Sequence, residues 1–457
     1  MRFVSTRDTG GRGSSFEEAL FQGLAPDGGL YLPAEVKPLP EQDLGTLKGG
    51  PFQATANRLV SHLLGDALPA ARIEKVVRDA FDFPIPLVEL GPGEWVLELF
   101  HGPTFAFKDV GARFMARMMS ALRPGEPNGL TVLVATSGDT GGAVADAYFG
   151  LPGIRVVVLY PKGQVSPIQE AQFTTLGGNV QAVPVLGSFD DCQRIAKEAF
   201  TDPDVQRRHQ LTSANSINVG RLIPQALYYA HAWASLPPMS PSSPGLGAPV
   251  FAVPSGNLGN LVGGLLAQQM GIPVSRFVAA TNANRPLPDY LETGVYEGRP
   301  SVATLSNAMD VGDPSNFERL RYLFDNDVSR VRTLVSASTW SDEETATCIR
   351  ETHERTGRVL DPHTAVGLLG LRKEMGDRNT SDVATNAPFQ TPAIVLGTAH
   401  PAKFREVVEP VIGTGLPLPK ALAESLAAAE SVNEVVEIPP ELGALGDFLD
   451  RYSLSSL

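Results

Sequence analysis

One lysine and two glycine loops carry the residue types best suited to chemistry in this chain. Lys108 stands in "LELFHGPTFAFKDVGARF", residues 97–114, an aromatic and nearly uncharged run with Phe105 and Phe107 just ahead of it. Lysine is seldom buried, because its charge loses water there. Held among aromatics and glycines, its charged form would be disfavoured. A neutral amine can condense with an aldehyde to a Schiff base. The bland alternative is a lysine whose stem packs on the rings while its head reaches water or pairs with Asp109.

The stretch "VFAVPSGNLGNLVGG" reads as a strand, the loop Ser255-Gly256-Asn257-Leu258-Gly259-Asn260, and a helix. Two glycines let backbone N–H groups approach an anion, and a helix N-terminus adds positive potential, so the loop suits a phosphate. It is neither G-x-G-x-x-G nor a Walker A sequence, and an ordinary tight turn would look similar. "VATSGDTGGAVADAY" repeats the architecture with Ser137-Gly138-Asp139-Thr140-Gly141. It could hold a carboxylate or a second phosphate, although helix capping by Asp or Ser explains much of it. An isolated amine beside a phosphate cradle suits pyridoxal phosphate, which has both an aldehyde and a phosphate.

These loops need strands behind them and helices ahead. Continuous apolar runs at 131–136, 154–160, 250–254, 276–281 and 393–397 read as strands buried on both faces. Helical segments such as 110–122 and 165–177 alternate with them, which predicts parallel sheets covered by helices, an α/β fold. On the helix after the lysine, Phe114, Met115, Met118, Met119 and Leu122 share one face and read as core packing. The first ~90 residues differ. Ser15 and Glu18 form a capping-box pattern, and 53–82 has apolar residues at helical spacing, including Ala56, Leu59, Val60, Leu63 and Leu64. The expected organisation is a mainly helical N-terminal domain at 1–92, a first α/β lobe at 93–235, a Pro/Ser/Gly linker at 236–249 and a second lobe at 250–457. A polar loop at 376–392 interrupts the second lobe.

Composition narrows the function classes. The 457 residues carry a net charge of −13, which disfavours a nucleic-acid partner. Two cysteines, Cys192 and Cys348, lie far apart, and the seven histidines show no metal-ligand spacing. No metal site is expected, and a reducing, cytoplasmic setting is. No run reaches the roughly 18–20 apolar residues of a membrane helix, so no membrane association is expected.

Six motifs in order, "HGPTFAFKDVGARF", "SGDTG", "ANSINVGR", "PSGNLGN", "LDPHTAVG" and "LGTAHPAKF", together resemble the threonine synthase family, in the form with an extra N-terminal domain. The opening "STRDTG…SFEEALFQGLAPDGGLYLP" is similar to the start of that family, so the resemblance runs from about residue 3 to 410. It implies a two-lobed tryptophan-synthase-β-like fold (PLP fold type II). It also implies pyridoxal 5'-phosphate as cofactor and conversion of O-phospho-L-homoserine and water to L-threonine and phosphate. It makes Lys108 the Schiff-base lysine and proton shuttle, and Gly256, Asn257, Leu258, Gly259 and Asn260 the phosphate cradle with Ser255 at its edge. Thr398 would face the pyridine nitrogen, leaving it largely unprotonated. Asp139 would lie near the cofactor's 3-hydroxyl, where many relatives carry asparagine. Ser137, Thr140, Asn215, Ser216 and Arg221 would hold the substrate's carboxylate and phosphate, Arg221 through its planar fork. His363 is expected to cap or orient its helix, His101 to pack, and His400 to pack or reach the cofactor. A serine/threonine dehydratase, a related phospho-lyase and a non-catalytic binding protein on the same fold are the competing readings. A monomer and a homodimer both remain open.

Overall fold

Buried β-branched runs decide the architecture. In the computed structural model, which describes residues 1–8, 10, 13–123, 129–237, 248–376, 391–430 and 435–452, they form two separate sheets. The smaller has the order Val180–Val185, Ile154–Pro161, Leu130–Ala135, Leu211–Ser213, with every pairing parallel. The larger runs Val335–Thr339, Arg276–Thr281, Val250–Pro254, Ala393–Gly397, Glu94–Glu98, Leu87–Gly91. It is parallel except for the hairpin at its edge. All residues of Ile154–Pro161, Val250–Pro254 and Ala393–Gly397 are buried, as strands covered by helices on both faces must be.

The lobes do not follow the expected boundaries. Glu94–Glu98, expected at the start of the first lobe, pairs with Ala393–Gly397 in the larger sheet. At the other end, helix Leu442–Arg451 returns to the smaller sheet: Leu445 and Leu449 share a core with Leu133, Val157 and Ile195. Both errors come from assuming that a lobe is continuous in sequence. Most of the 236–249 linker and of the 376–392 loop lies outside the described residues.

The N-terminal region pairs Phe3–Ser5 with Tyr31–Pro33 and adds four helices among the described residues. Ser15 caps helix Phe16–Gln22 with the reciprocal Glu18 bond. The segment 53–82 is two helices, Phe52–Leu64 and Ala70–Ala80, because Gly65 ends the first and Pro69 stands ahead of the second. Among the described residues no helix is long and apolar enough to cross a membrane. The carboxyl ends of Leu130–Ala135, Val250–Pro254 and Ala393–Gly397 open into one cleft of about 140 Å³. Loops at those ends, where helices begin, are where α/β folds bind ligands.

Candidate active site

Lys108 is the first residue of helix Lys108–Leu122 and lines the cleft. The loop before it is stitched to the end of a central strand: Phe107 N donates to Thr398 O at 2.8 Å, and His400 N donates to Phe105 O at 3.0 Å. Phe105 itself takes a left-handed φ of 57°, a strained choice for an aromatic residue. Asp109 does not pair with the lysine. Its buried carboxyl faces Thr104, accepting from both its amide and its hydroxyl, and burial pushes it up to about 7. Lys108 approaches Asp139 instead, with Nζ 3.7 Å from Oδ2. Burial holds the lysine below its ordinary range; Asp139 opposes that, while Lys403 and Arg221 add to it.

Asp139 opens helix Asp139–Tyr148 behind Gly138, whose φ of 142° suits glycine. Thr136 Oγ1 ties the turn by accepting from Gly138 N at 2.9 Å and Gly141 N at 2.8 Å. The carboxylate accepts from Gln169 Nε2 at 2.9 Å and pairs with Lys403 Nζ at 2.6 Å. Burial alone would raise Asp139, but the charges of Lys403 and Lys108 and these hydrogen bonds hold it well below the usual carboxylate range. The helix N-terminus favours the same charge state.

The glycine loop turns through a left-handed Leu258, φ 59°, into helix Gly259–Gln269. The amides of Gly256, Asn257, Leu258 and Gly259 donate to no group among the described residues. They are unused donors at a helix start, the arrangement that binds phosphate. A Cβ on Gly256 would stand 2.8 Å from Met309 Cα, so the 306–316 loop lies directly over the cradle. Ser255 is not brought into the cleft: its hydroxyl donates to Val253 O at 2.7 Å, and it is absent from the lining. Gly256, Asn257, Leu258, Gly259 and Asn260 all line it.

Thr398 also lines the cleft, and its buried Oγ1 has no partner among the described residues. The unused amides, the orphaned hydroxyl and the desolvated amine fit pyridoxal phosphate by the chemistry of each group: phosphate, ring nitrogen and aldehyde.

The expected substrate residues Ser137, Thr140, Asn215, Ser216 and Arg221 all line the same cleft. The Asn215 amide brackets the end of a strand, donating to Ala135 O at 2.7 Å and accepting from Ala135 N at 3.2 Å. Ser216 Oγ accepts from Asn257 Nδ2 at 2.7 Å and Asn316 Nδ2 at 3.1 Å, joining the two loops. Arg221 is buried, donates through Nη1 to Ala214 O, and keeps an unpartnered Nε. Burial pushes it down to about 10, against the attraction of Tyr148 and Asp109.

Of the histidines, His363 alone lines the cleft. Its Nε2 accepts from Ala308 N at 3.1 Å, so the proton sits on Nδ1, 2.8 Å from Asp361 Oδ1. The helix cap is Asp361 rather than His363. His363 orients the loop over the cradle. His101 pairs with Glu98, and His400 packs edge-on against Phe100 and Phe105.

Three residues with a part in the site went unread in the sequence. Lys403 is fully buried against Asp139, and Gln169 shares that carboxylate. Arg319, also fully buried, donates to Ser216 O, Ile217 O, Tyr31 O and Asn316 Oδ1. Lys403 had a signal: in "HPAKF" it stands among small and apolar residues, the criterion that singles out Lys108.

Residues 2–81 match the family described as "Threonine synthase N terminus", 83–386 match "Pyridoxal-phosphate dependent enzyme", and 364–446 match "Threonine synthase, C-terminal". Threonine synthase from Serratia marcescens is 42% identical over 95% of this chain and 96% of its own length. The crystal structure of threonine synthase from Escherichia coli superposes with a TM-score of 0.89 at 39% identity, covering 99% of this chain and 100% of that one. That of the PLP-bound threonine synthase from Brucella melitensis gives 0.86 at 35%, with the same coverage.

Proposed function

This chain belongs to the threonine synthase family of pyridoxal-phosphate-dependent enzymes, and on that premise we propose that it converts O-phospho-L-homoserine and water to L-threonine and phosphate. One observation carries the choice of substrate: besides the helix start at Ser137 and Thr140, which suits a carboxylate, the cleft offers two anion sites, and the cofactor needs one. The 256–259 amides suit the cofactor's phosphate, while Arg221 supplies a second, buried cation with an unused Nε. The charges of Lys403 and Arg221 both act on Lys108, and Asp139 is the carboxylate paired with it, so cations outnumber the firmly ionised carboxylate there in a chain of net charge −13. A serine/threonine dehydratase has no leaving phosphate to hold and no use for the second site.

Each side chain then has a task. Lys108 would hold the cofactor's aldehyde carbon, the 256–259 loop its phosphate, Thr398 its ring nitrogen and Asp139 its 3-oxygen. Bound there, pyridoxal phosphate supplies an electron sink that stabilises carbanion character along the substrate chain. The Nζ of Lys108, with its proton affinity lowered by burial, takes and returns the substrate's protons. Arg221 stabilises charge on the departing phosphate through its planar fork. Ser137 and Thr140, at the start of helix Asp139–Tyr148, orient the substrate's anionic end. The loop bearing Ala308 and Met309, held by His363, covers the phosphate cradle. We place the reaction in the cytoplasm, a setting that suits two buried, unpaired cysteines.

The test is substrate discrimination. O-phospho-L-homoserine should turn over, while L-homoserine and L-serine, which lack the phosphate, should be poor substrates. Comparable turnover of L-serine would contradict the assignment.

A further inference from the structure

Lys403 lies in the turn Pro401–Phe404 that follows Thr398. Its side chain is fully buried, donates from Nζ to Thr104 O at 2.9 Å and pairs with Asp139 Oδ1 at 2.6 Å. Lys108 Nζ stands 3.7 Å from Oδ2 of the same carboxylate. One anion therefore sits between two lysines, and the closer lysine is the one the reaction does not use. A buried ammonium is costly even when paired, and an apolar side chain of similar volume would fill this space at less cost. The geometry calls for a role beyond packing.

We infer that Lys403 is a positioning residue acting through Asp139: as the carboxylate's permanent partner it keeps Asp139 charged and fixed, leaves Lys108 loosely paired, and so lowers the proton affinity of the Lys108 nitrogen. The inference rests on the reading of Lys108 as the cofactor-bearing amine. Without Lys403, Asp139 would close on Lys108 as its sole counter-ion and hold a proton there.

The groups facing Lys108 come from several elements. Asp139 belongs to helix Asp139–Tyr148, Lys403 to its turn and Arg221 to helix Val219–Leu222. Asp109, on the lysine's own helix, is turned to Thr104, and His363 is committed to Asp361 and Ala308. The signs follow from charge. Removing Lys403 takes away a repelling cation and gives all of Asp139 to Lys108, so proton affinity rises. Removing Asp139 takes away the attracting anion, so it falls. Removing both leaves the local charge balance unchanged.

The experiment is a spectrophotometric pH titration of the lysine–cofactor linkage in the holoenzyme. It compares wild type with Lys403→Met, Asp139→Asn and the double variant, each reduced with borohydride and peptide-mapped. The label should fall on Lys108 throughout. The titration midpoint should rise by about one pH unit or more in Lys403→Met, fall in Asp139→Asn, and return close to wild type in the double variant. A packing role would give neither opposite signs nor cancellation. An unmoved midpoint in Lys403→Met with the label on Lys108 overturns the inference. A label on Lys403 overturns the reading of Lys108 on which it rests. Should Lys403→Met fail to fold, the double variant decides, since it removes the pair as a unit. If it titrates like Asp139→Asn alone, Lys403 contributes nothing and the inference falls.

Discussion

The guanidinium of Arg221 lies against the backbone of Gly111, one helical turn beyond Lys108: a methyl group there would stand 2.8 Å from Nε and 3.1 Å from the Arg221 carbonyl oxygen. The missing side chain lets a cation approach the Lys108 helix directly. Gly111→Ala should displace the arginine, raising KM for the phosphorylated substrate about tenfold or more while leaving the cofactor's absorbance intact. Steady-state kinetics with a parallel spectrum checks this. Unchanged KM would mean that the contact does not position Arg221.

Arg221 itself should matter chiefly when charge builds on the leaving phosphate. Arg221→Met is expected to lower kcat/KM by about 10²–10³. Arg221→Lys should recover little of it, because an ammonium lacks the planar fork. Product inhibition by inorganic phosphate should weaken in both variants. If it stays as strong as in wild type, phosphate is held elsewhere.

Thr398 offers a prediction with opposite signs in two assays. Its Oγ1 is buried and without a partner among the described residues, so Thr398→Val removes an unsatisfied group of nearly the same shape. Thermal stability of the cofactor-free chain should hold or rise slightly. Cofactor affinity and turnover should fall if the hydroxyl meets the ring nitrogen. Comparing melting with and without cofactor separates the two effects, and loss of stability in both states would contradict the assignment.

Asp109 links stability to pH. Its carboxyl is pushed up to about 7 by burial, from an ordinary value near 3.8. Between those values the unfolded chain has released a proton that the folded chain keeps. This group therefore costs stability as pH rises through about 4 to 7, by an amount on the order of a few kcal/mol. Asp109→Asn can still accept the Thr104 amide and has no proton to lose. Denaturant melts of wild type and variant across that range should show wild type losing ground as pH rises. Parallel curves would mean that Asp109 ionises normally.

Much of this arrangement is legible in the sequence because it rests on local rules. "VFAVP", "RFVAAT" and "AIVLG" become strands at the expected residues because continuous apolar runs fit only a doubly covered sheet. Val335–Thr339 escapes that criterion: it is an edge strand, half exposed, with small and polar residues. The lobe boundaries fail because pairing between residues some 300 apart, such as Leu97 with Leu396, leaves no local mark. The site shows the same division. Lys108 and the 256–260 loop stand out by composition, whereas the Lys403–Asp139 pair exists only once distant segments meet. For Ser255 the motif gives the residue and not the direction of its hydroxyl, which turns back to Val253 O.

The central claim is that one cleft both releases phosphate and adds water to the same carbon chain. Phosphate, L-threonine and 2-oxobutyrate should be quantified together from O-phospho-L-homoserine as the only substrate. Phosphate and L-threonine are expected to appear in equal amounts, with both lost in Lys108→Ala. Phosphate released with 2-oxobutyrate in place of L-threonine would contradict the claim and make the chain a phospho-lyase.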